Sequence, residues 1–221
     1  MQTERIKTIS ASGMMVAAAV LLFFSFHKAP PKVDARPQEG VGQMLEEEAA
    51  KLLGSGGRVT VITWDLSTSK NPTAEIQMKS FYRAVRKANL ILASTNAIKL
   101  DPLRLIRVPS GDFLELLKKQ SENDVIVSFL GPPVLSAEQR SKLGEKKSRV
   151  VALCSGGLPW QTDLKELFAQ NLLQAAITSR PAPAPDPPQS SNPRDWFDHF
   201  YQVITAANLA VLPVLTNNVP R

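Results

Sequence analysis

One cysteine in 221 residues rules out an internal disulfide, so whatever folds here is held by packing alone. Two histidines, His27 and His199, together with that single Cys154, are too few for a nitrogen/sulfur metal site without carboxylates. No acidic spacing resembles a calcium loop, so no metal is expected. The phosphate-binding fingerprints G-x-G-x-x-G and G-x-x-x-x-G-K-[ST] are both missing, and Gly54-Ser55-Gly56-Gly57 precedes a strand, the wrong order for a phosphate loop; no cofactor is expected. Basic blocks interleaved with aromatics are also lacking. The formal charge is +6, but half of that excess surrounds an apolar stretch near the N-terminus, and elsewhere Lys and Arg alternate with Asp and Glu, as at Glu115, Lys118, Lys119 and Glu122. That is a solvated mixed surface, not a nucleic-acid footprint.

Charge is absent from Ile9 to Phe26, and the core of this stretch, Met14 to Phe26, is apolar on every face. As a helix it rises about 27 Å, close to a bilayer core of about 30 Å, and Lys7 and Lys28 can snorkel to cover the difference. It reads as an uncleaved signal anchor in the cytoplasmic membrane, with the rest of the chain periplasmic or otherwise extracytoplasmic, since a short basic N-terminus stays inside. A cleaved signal peptide, which would release the chain, is the alternative. No cysteine lies near the end of the run, which excludes a lipid-modified cysteine anchor there.

The expected organisation is an anchor over residues 1–28, a spacer with a short helix over 29–57, an α/β domain over 58–179, a proline-rich linker over 180–193 and an amphipathic helix with its tail over 194–221. Within the domain, Arg58 to Trp64 is a β-branched run, Asn71-Pro72 opens a helix with an N-cap and an N1 proline, and Asp124 to Leu130 and Arg149 to Cys154 are apolar strands. Leu90 to Ala93 and Leu103 to Val108 are further strand candidates, Ser110 is a candidate cap, and Leu172 to Thr178 fits helix or strand. Continuously apolar strands alternating with helices predict a three-layer α/β sandwich of about five mostly parallel strands. The final helix carries Trp196, Phe197, Phe200, Tyr201 and Ile204, with Val203 and Ala207, as a wide apolar stripe that must cover something: the sandwich itself, a partner protein or the membrane.

Ligands of open parallel sheets gather beyond the carboxyl ends of the strands. This selects Trp64, Asp65, Ser67 and Thr68 after the first strand, Ser128, Gly131, Pro132 and Pro133 after Asp124 to Leu130, and Ser155, Gly156, Gly157 and Trp160 after Arg149 to Cys154. Glycines there let backbone approach a ligand while hydroxyls bond it, although Gly, Pro and Ser also simply make turns. Asp65, Asp124 and Asp163 are the carboxylates to weigh for convergence, although aspartates at strand and helix ends are commonly caps. A nucleophilic reading needs Cys154 or Ser155 with His199 as base, but L-C-S-G-G is not the G-x-S-x-G elbow, and no catalytic residue is assigned.

The segments R-V-T-V-I-T-W-D, S-E-N-D-V-I-V-S-F-L-G-P-P and R-V-V-A-L-C-S-G-G-L-P, spanning about Arg58 to Thr178, resemble one lobe of a type I periplasmic ligand-binding protein. The resemblance implies a small-molecule cleft near Asp65, Ser128 and Ser155. It also implies a missing second lobe, whose wall a dimer or an envelope partner would have to supply. The expected role is therefore a membrane-tethered, non-catalytic interaction or sensing module, with a ligand-binding lobe as the alternative reading.

Overall fold

A computed structural model describes residues 34–67, 71–99, 108–144, 149–156 and 162–212. Six strands form one sheet in the order β2-β1-β3-β4-β5-β6. They are β1 (Arg58–Trp64), β2 (Ile91–Ile98), β3 (Val125–Ser128), β4 (Val150–Cys154), β5 (Ala175–Ser179) and β6 (Tyr201–Ile204). All neighbours pair in parallel except β5 and β6, which are antiparallel. The helices are α1 (Ala35–Leu52), α2 (Pro72–Lys87), α3 (Ser110–Lys119), α4 (Ala137–Ser141), α5 (Leu164–Ala169) and α6 (Pro193–Phe200), and a terminal 3-10 turn spans Ala206–Val211.

Strand periodicity splits the core into two layers. Val59, Val61, Val125, Val127, Val151, Leu153, Ala175 and Ile177 face one side, where they pack with Met44 and Leu45 of α1, Phe81 of α2 and Phe197 of α6. Ile62, Ile126, Val150, Ala152, Cys154 and Ala176 face the other, against Phe113 and Leu117 of α3 and Leu167 and Phe168 of α5. Burial on both faces is why these strands read as unbroken apolar runs.

Local chemistry sets the helix starts. Asn71 accepts from the Ala74 N–H ahead of Pro72, and Ser136 and Gln139 form a reciprocal capping box at α4. Ser110, expected as a cap, is instead the first residue of α3; Pro109 precedes it, and the Ser110 hydroxyl accepts from Gln139 Nε2. Leu172 to Thr178 resolves into β5. The expected strand Leu103 to Val108 lies outside the described residues except for Val108.

Two elements depart from the sequence reading. The short helix expected within residues 29–57 is an 18-residue helix that begins at Ala35, inside the stretch assigned as spacer. Pro37 sits in the first turn, where a missing N–H has no partner to lose. Gly40 and Gly42, which look like linker residues, are points of close contact: a Cβ on Gly40 would lie 2.4 Å from Pro193 O, and one on Gly42 2.3 Å from Gln77 O. They allow α1 to nest between α2 and α6.

The second departure is at the C-terminal end, where the apolar stripe is not one helix. α6 stops at Phe200, and Tyr201–Ile204 turns into β6, whose alternate residues Gln202 and Ile204 are buried. A Phe-Tyr-x-Val-Ile run satisfies both a helical and a twofold period, and the open edge of β5 decides for the strand. Arg180 fixes the corner: its Nε donates to the Asp198 and Tyr201 carbonyls at the end of α6. Among the described residues no helix is long and apolar enough to cross a membrane. The segment Met14 to Phe26 lies outside them.

Candidate functional site

The carboxyl edge of the sheet is built by the last residues of β1, β3, β4 and β5. Pairing places Ile62 opposite Ser128, Ser128 opposite Ala152 and Cys154 opposite Thr178. Trp64, Cys154 and Thr178 therefore form the outermost row on the α3/α5 side. Among the described residues two polar atoms in this row are buried and make no hydrogen bond: the indole Nε1 of Trp64 and the hydroxyl of Thr178. An unbonded buried polar group forfeits about 1–3 kcal/mol, so such atoms need a reason. Their strands are three steps apart across the sheet, about 14 Å. Thr178 was invisible in the sequence because a threonine in a buried strand is ordinary until its missing partner is seen.

Around this row the turns differ. Asp65 accepts from the hydroxyl and the backbone N–H of Ser67, and both bonds, the hydroxyl's first, hold its carboxyl below the usual range. Asp65 is thus a charged acceptor on the rim. Ser128 is fully buried; its oxygen accepts from the Leu130 N–H at 3.3 Å, which leaves a hydroxyl proton to donate. Gly131 has φ +88° and Gly156 φ +67°, left-handed conformations that favour glycine and turn the chain out of β3 and β4. Pro132 and Pro133 are buried behind the first turn, whereas Ser155 is half-buried and Gly156 exposed on the second. Thr68, Gly157 and Trp160 lie outside the described residues.

For Cys154 the nucleophilic alternative does not survive the geometry. Cys154 has no exposed surface, and burial pushes its thiol far above the ordinary value, so no thiolate forms near neutrality. It faces the α3/α5 layer, while His199 rides on α6 in the opposite layer with its ring against Phe200 at 4.4 Å. The sheet stands between nucleophile and base.

The three aspartates do not converge either. Asp124 sits at the amino edge, where it accepts from the N–H groups of Arg58 and Ser121. Asp163 caps α5 by accepting from Glu166 N. Among the described residues no three His, Cys, Asp or Glu side chains gather as metal ligands.

Of the apolar set expected at a partner surface, Trp196, Phe197 and Ile204 are buried in the domain itself. Phe197 joins the α1/α2 layer, Ile204 the α3/α5 layer, and Trp196 lies beneath the Arg36 guanidinium, 3.8 Å from the ring centroid. Phe200 and Tyr201 keep partial exposure, and the Tyr201 hydroxyl accepts from Gln38.

AraP, an arabinose-binding protein from Geobacillus stearothermophilus, superposes with a TM-score of 0.52 at 16% identity, over 80% of this chain and 63% of that one. An ABC transporter solute-binding protein from Burkholderia graminis, in complex with D-arabinose, gives 0.52 at 18% identity, over 77% and 60%. What is shared is the fold. The sheet has the build of a single lobe of the type I periplasmic sugar-binding proteins, and the chain spans about three fifths of the length of these neighbours. No family model and no curated protein matches the sequence.

Proposed function

We propose that this chain is an extracytoplasmic, non-catalytic recognition lobe for a small polyhydroxylated solute of the sugar class, bound at the carboxyl edge of the sheet and tethered by Met14 to Phe26. The observation that carries this reading is the likeness of the sheet to one lobe of sugar-binding proteins, and an unbonded N–H at Trp64 and an unbonded hydroxyl at Thr178 lie along the same carboxyl edge. Sugars offer hydroxyls that both donate and accept. Asp65 adds a charged acceptor on the rim, and the turns at Gly131 and Gly156 bring backbone within reach. The fold likeness supports the same edge. Ser67, Ser128, Pro132 and Ser155, with Gly157 and Trp160, complete the proposed lining.

A lone lobe contacts a sugar from one side only, so affinity in the millimolar range, about 4 kcal/mol, is expected unless a second wall closes over it. The test is calorimetric titration of the full chain with D-arabinose and a panel of pentoses and hexoses. Thr178→Val keeps the shape and removes the hydroxyl, and should weaken the best sugar about tenfold. Absence of saturable heat across the panel, or an unchanged affinity in the variant, rejects the assignment.

A second reading, an interaction module that pairs with a copy of itself, is favoured by β2. This edge strand is exposed along most of its length, with Ile91 56% and Leu92 40% accessible. Edge pairing through β2 would make the chain dimeric at micromolar concentration by light scattering. A monomer at every concentration would exclude it.

A further inference from the structure

Away from the carboxyl edge, between the C-terminal halves of α1 and α2, lies a groove of about 480 Å³. Its size falls within the range of small-molecule sites. Upstream, Gly42 presses against Gln77, Ser80 and Phe81 and closes the space between the helices. One turn later the helices part, because α2 presents only Ser80 and Ala84 where larger side chains would fill the gap.

Glu46 projects into this opening from α1. It is 8% exposed and among the described residues has neither a hydrogen bond nor an ion pair, and its carboxyl is raised by burial and, secondarily, by the neighbouring charge of Glu47. Glu47 is committed elsewhere, to Arg194 on α6 at 2.7 Å. On the facing wall Arg83 and Lys87 stand one turn apart on α2, both exposed and, among the described residues, both without an ionic partner. Like charges at that spacing repel. Among the described residues the groove therefore holds a negative charge on one wall and two positive charges on the other, and none of these three side chains is in an ion pair.

A molecule carrying both signs would neutralise both walls. We propose that this groove is a binding site for an amino-acid-class solute, its ammonium on Glu46 and its carboxylate on Arg83 and Lys87. A simple cation would be repelled by Arg83 and Lys87, and a simple anion by Glu46. Ionised Glu46 is required, so affinity should rise with pH through the titration of this carboxyl, which lies above the ordinary glutamate range.

The experiment is titration of the full chain at pH 7 with glycine, β-alanine and γ-aminobutyrate, a series of increasing separation between the charges, with methylammonium and acetate as single-charge controls. At least one amino acid should bind saturably, and each control at least tenfold more weakly. Glu46→Gln and Arg83→Gln should each reduce the affinity about tenfold or more. Arg83 is on the surface, so its variant stays informative if the Glu46 variant folds poorly. No saturation by any amino acid at about 50 mM, equal binding of a control, or unchanged affinity in Arg83→Gln would overturn the assignment. These outcomes do not depend on sugar binding at the carboxyl edge.

Discussion

Cys154 and Thr178 lie side by side in register and show how far residue type alone misleads. The cysteine is the obvious reactive candidate in sequence, yet it is sealed in the α3/α5 layer. Its thiol should resist a disulfide reagent such as DTNB in the native chain and react stoichiometrically only in denaturant; rapid native labelling would refute this placement. The threonine attracts no attention in sequence, yet its hydroxyl is the unbonded atom. Removing an unsatisfied buried hydroxyl should be neutral or stabilising, so Thr178→Val should raise the unfolding free energy by about 0–1 kcal/mol in urea titration. A loss above about 1 kcal/mol would mean that the hydroxyl already has a partner. Of the carboxyl-edge residues, those after β1, β3 and β4 were legible from the strand pattern, because each strand end is marked by a turn residue. The satisfaction of individual polar atoms carries no sequence signature at all.

At the scale of elements, α1 is the lesson. Glycine costs a helix interior about 1 kcal/mol relative to alanine, so Gly40 and Gly42 argued for a spacer, and only the approach of α2 and α6 explains why they are helical. Gly42→Ala should therefore destabilise the fold by about 1–3 kcal/mol despite alanine's better propensity, since its Cβ meets the Gln77 carbonyl and the Phe81 backbone nitrogen. Gly111 is the internal control: it lies in α3 with nothing within 4 Å of its would-be Cβ, and Gly111→Ala should stabilise by about 0.5–1 kcal/mol. Equal signs for the two substitutions in urea titrations would discredit the packing explanation. α6 and β6 failed the reading for a different reason. Helical and strand periods coincide over so short an apolar run, and the deciding fact, an unpaired β5 edge, is tertiary.

For the whole molecule, the parallel sandwich was readable because interior strands alternate with capped helices; the sixth strand and the early start of α1 were not, since each exists to cover something distant in sequence. Asp124 ties part of the stability in acid to the amino edge. Burial tends to raise the Asp124 carboxyl, but N–H bonds from Arg58 and Ser121, with the Arg58 charge, outweigh it and hold the group below its ordinary value. A depressed carboxyl contributes stability above its unfolded pKa, near 3.9, and that contribution is lost as pH falls through the folded value. Asp124→Asn should consequently lower the melting temperature at pH 7 and show a smaller penalty near pH 2; a constant penalty across that window would point to packing instead of charge.

The two margins of the sheet are unequal. On one, β6 is four residues long and runs against its neighbour; on the other, β2 is eight residues long and open to solvent. Should a second copy pair through β2, the eight residues of that margin would run the length of the shared seam, while the shorter β6 would lie at the far margin of each sheet.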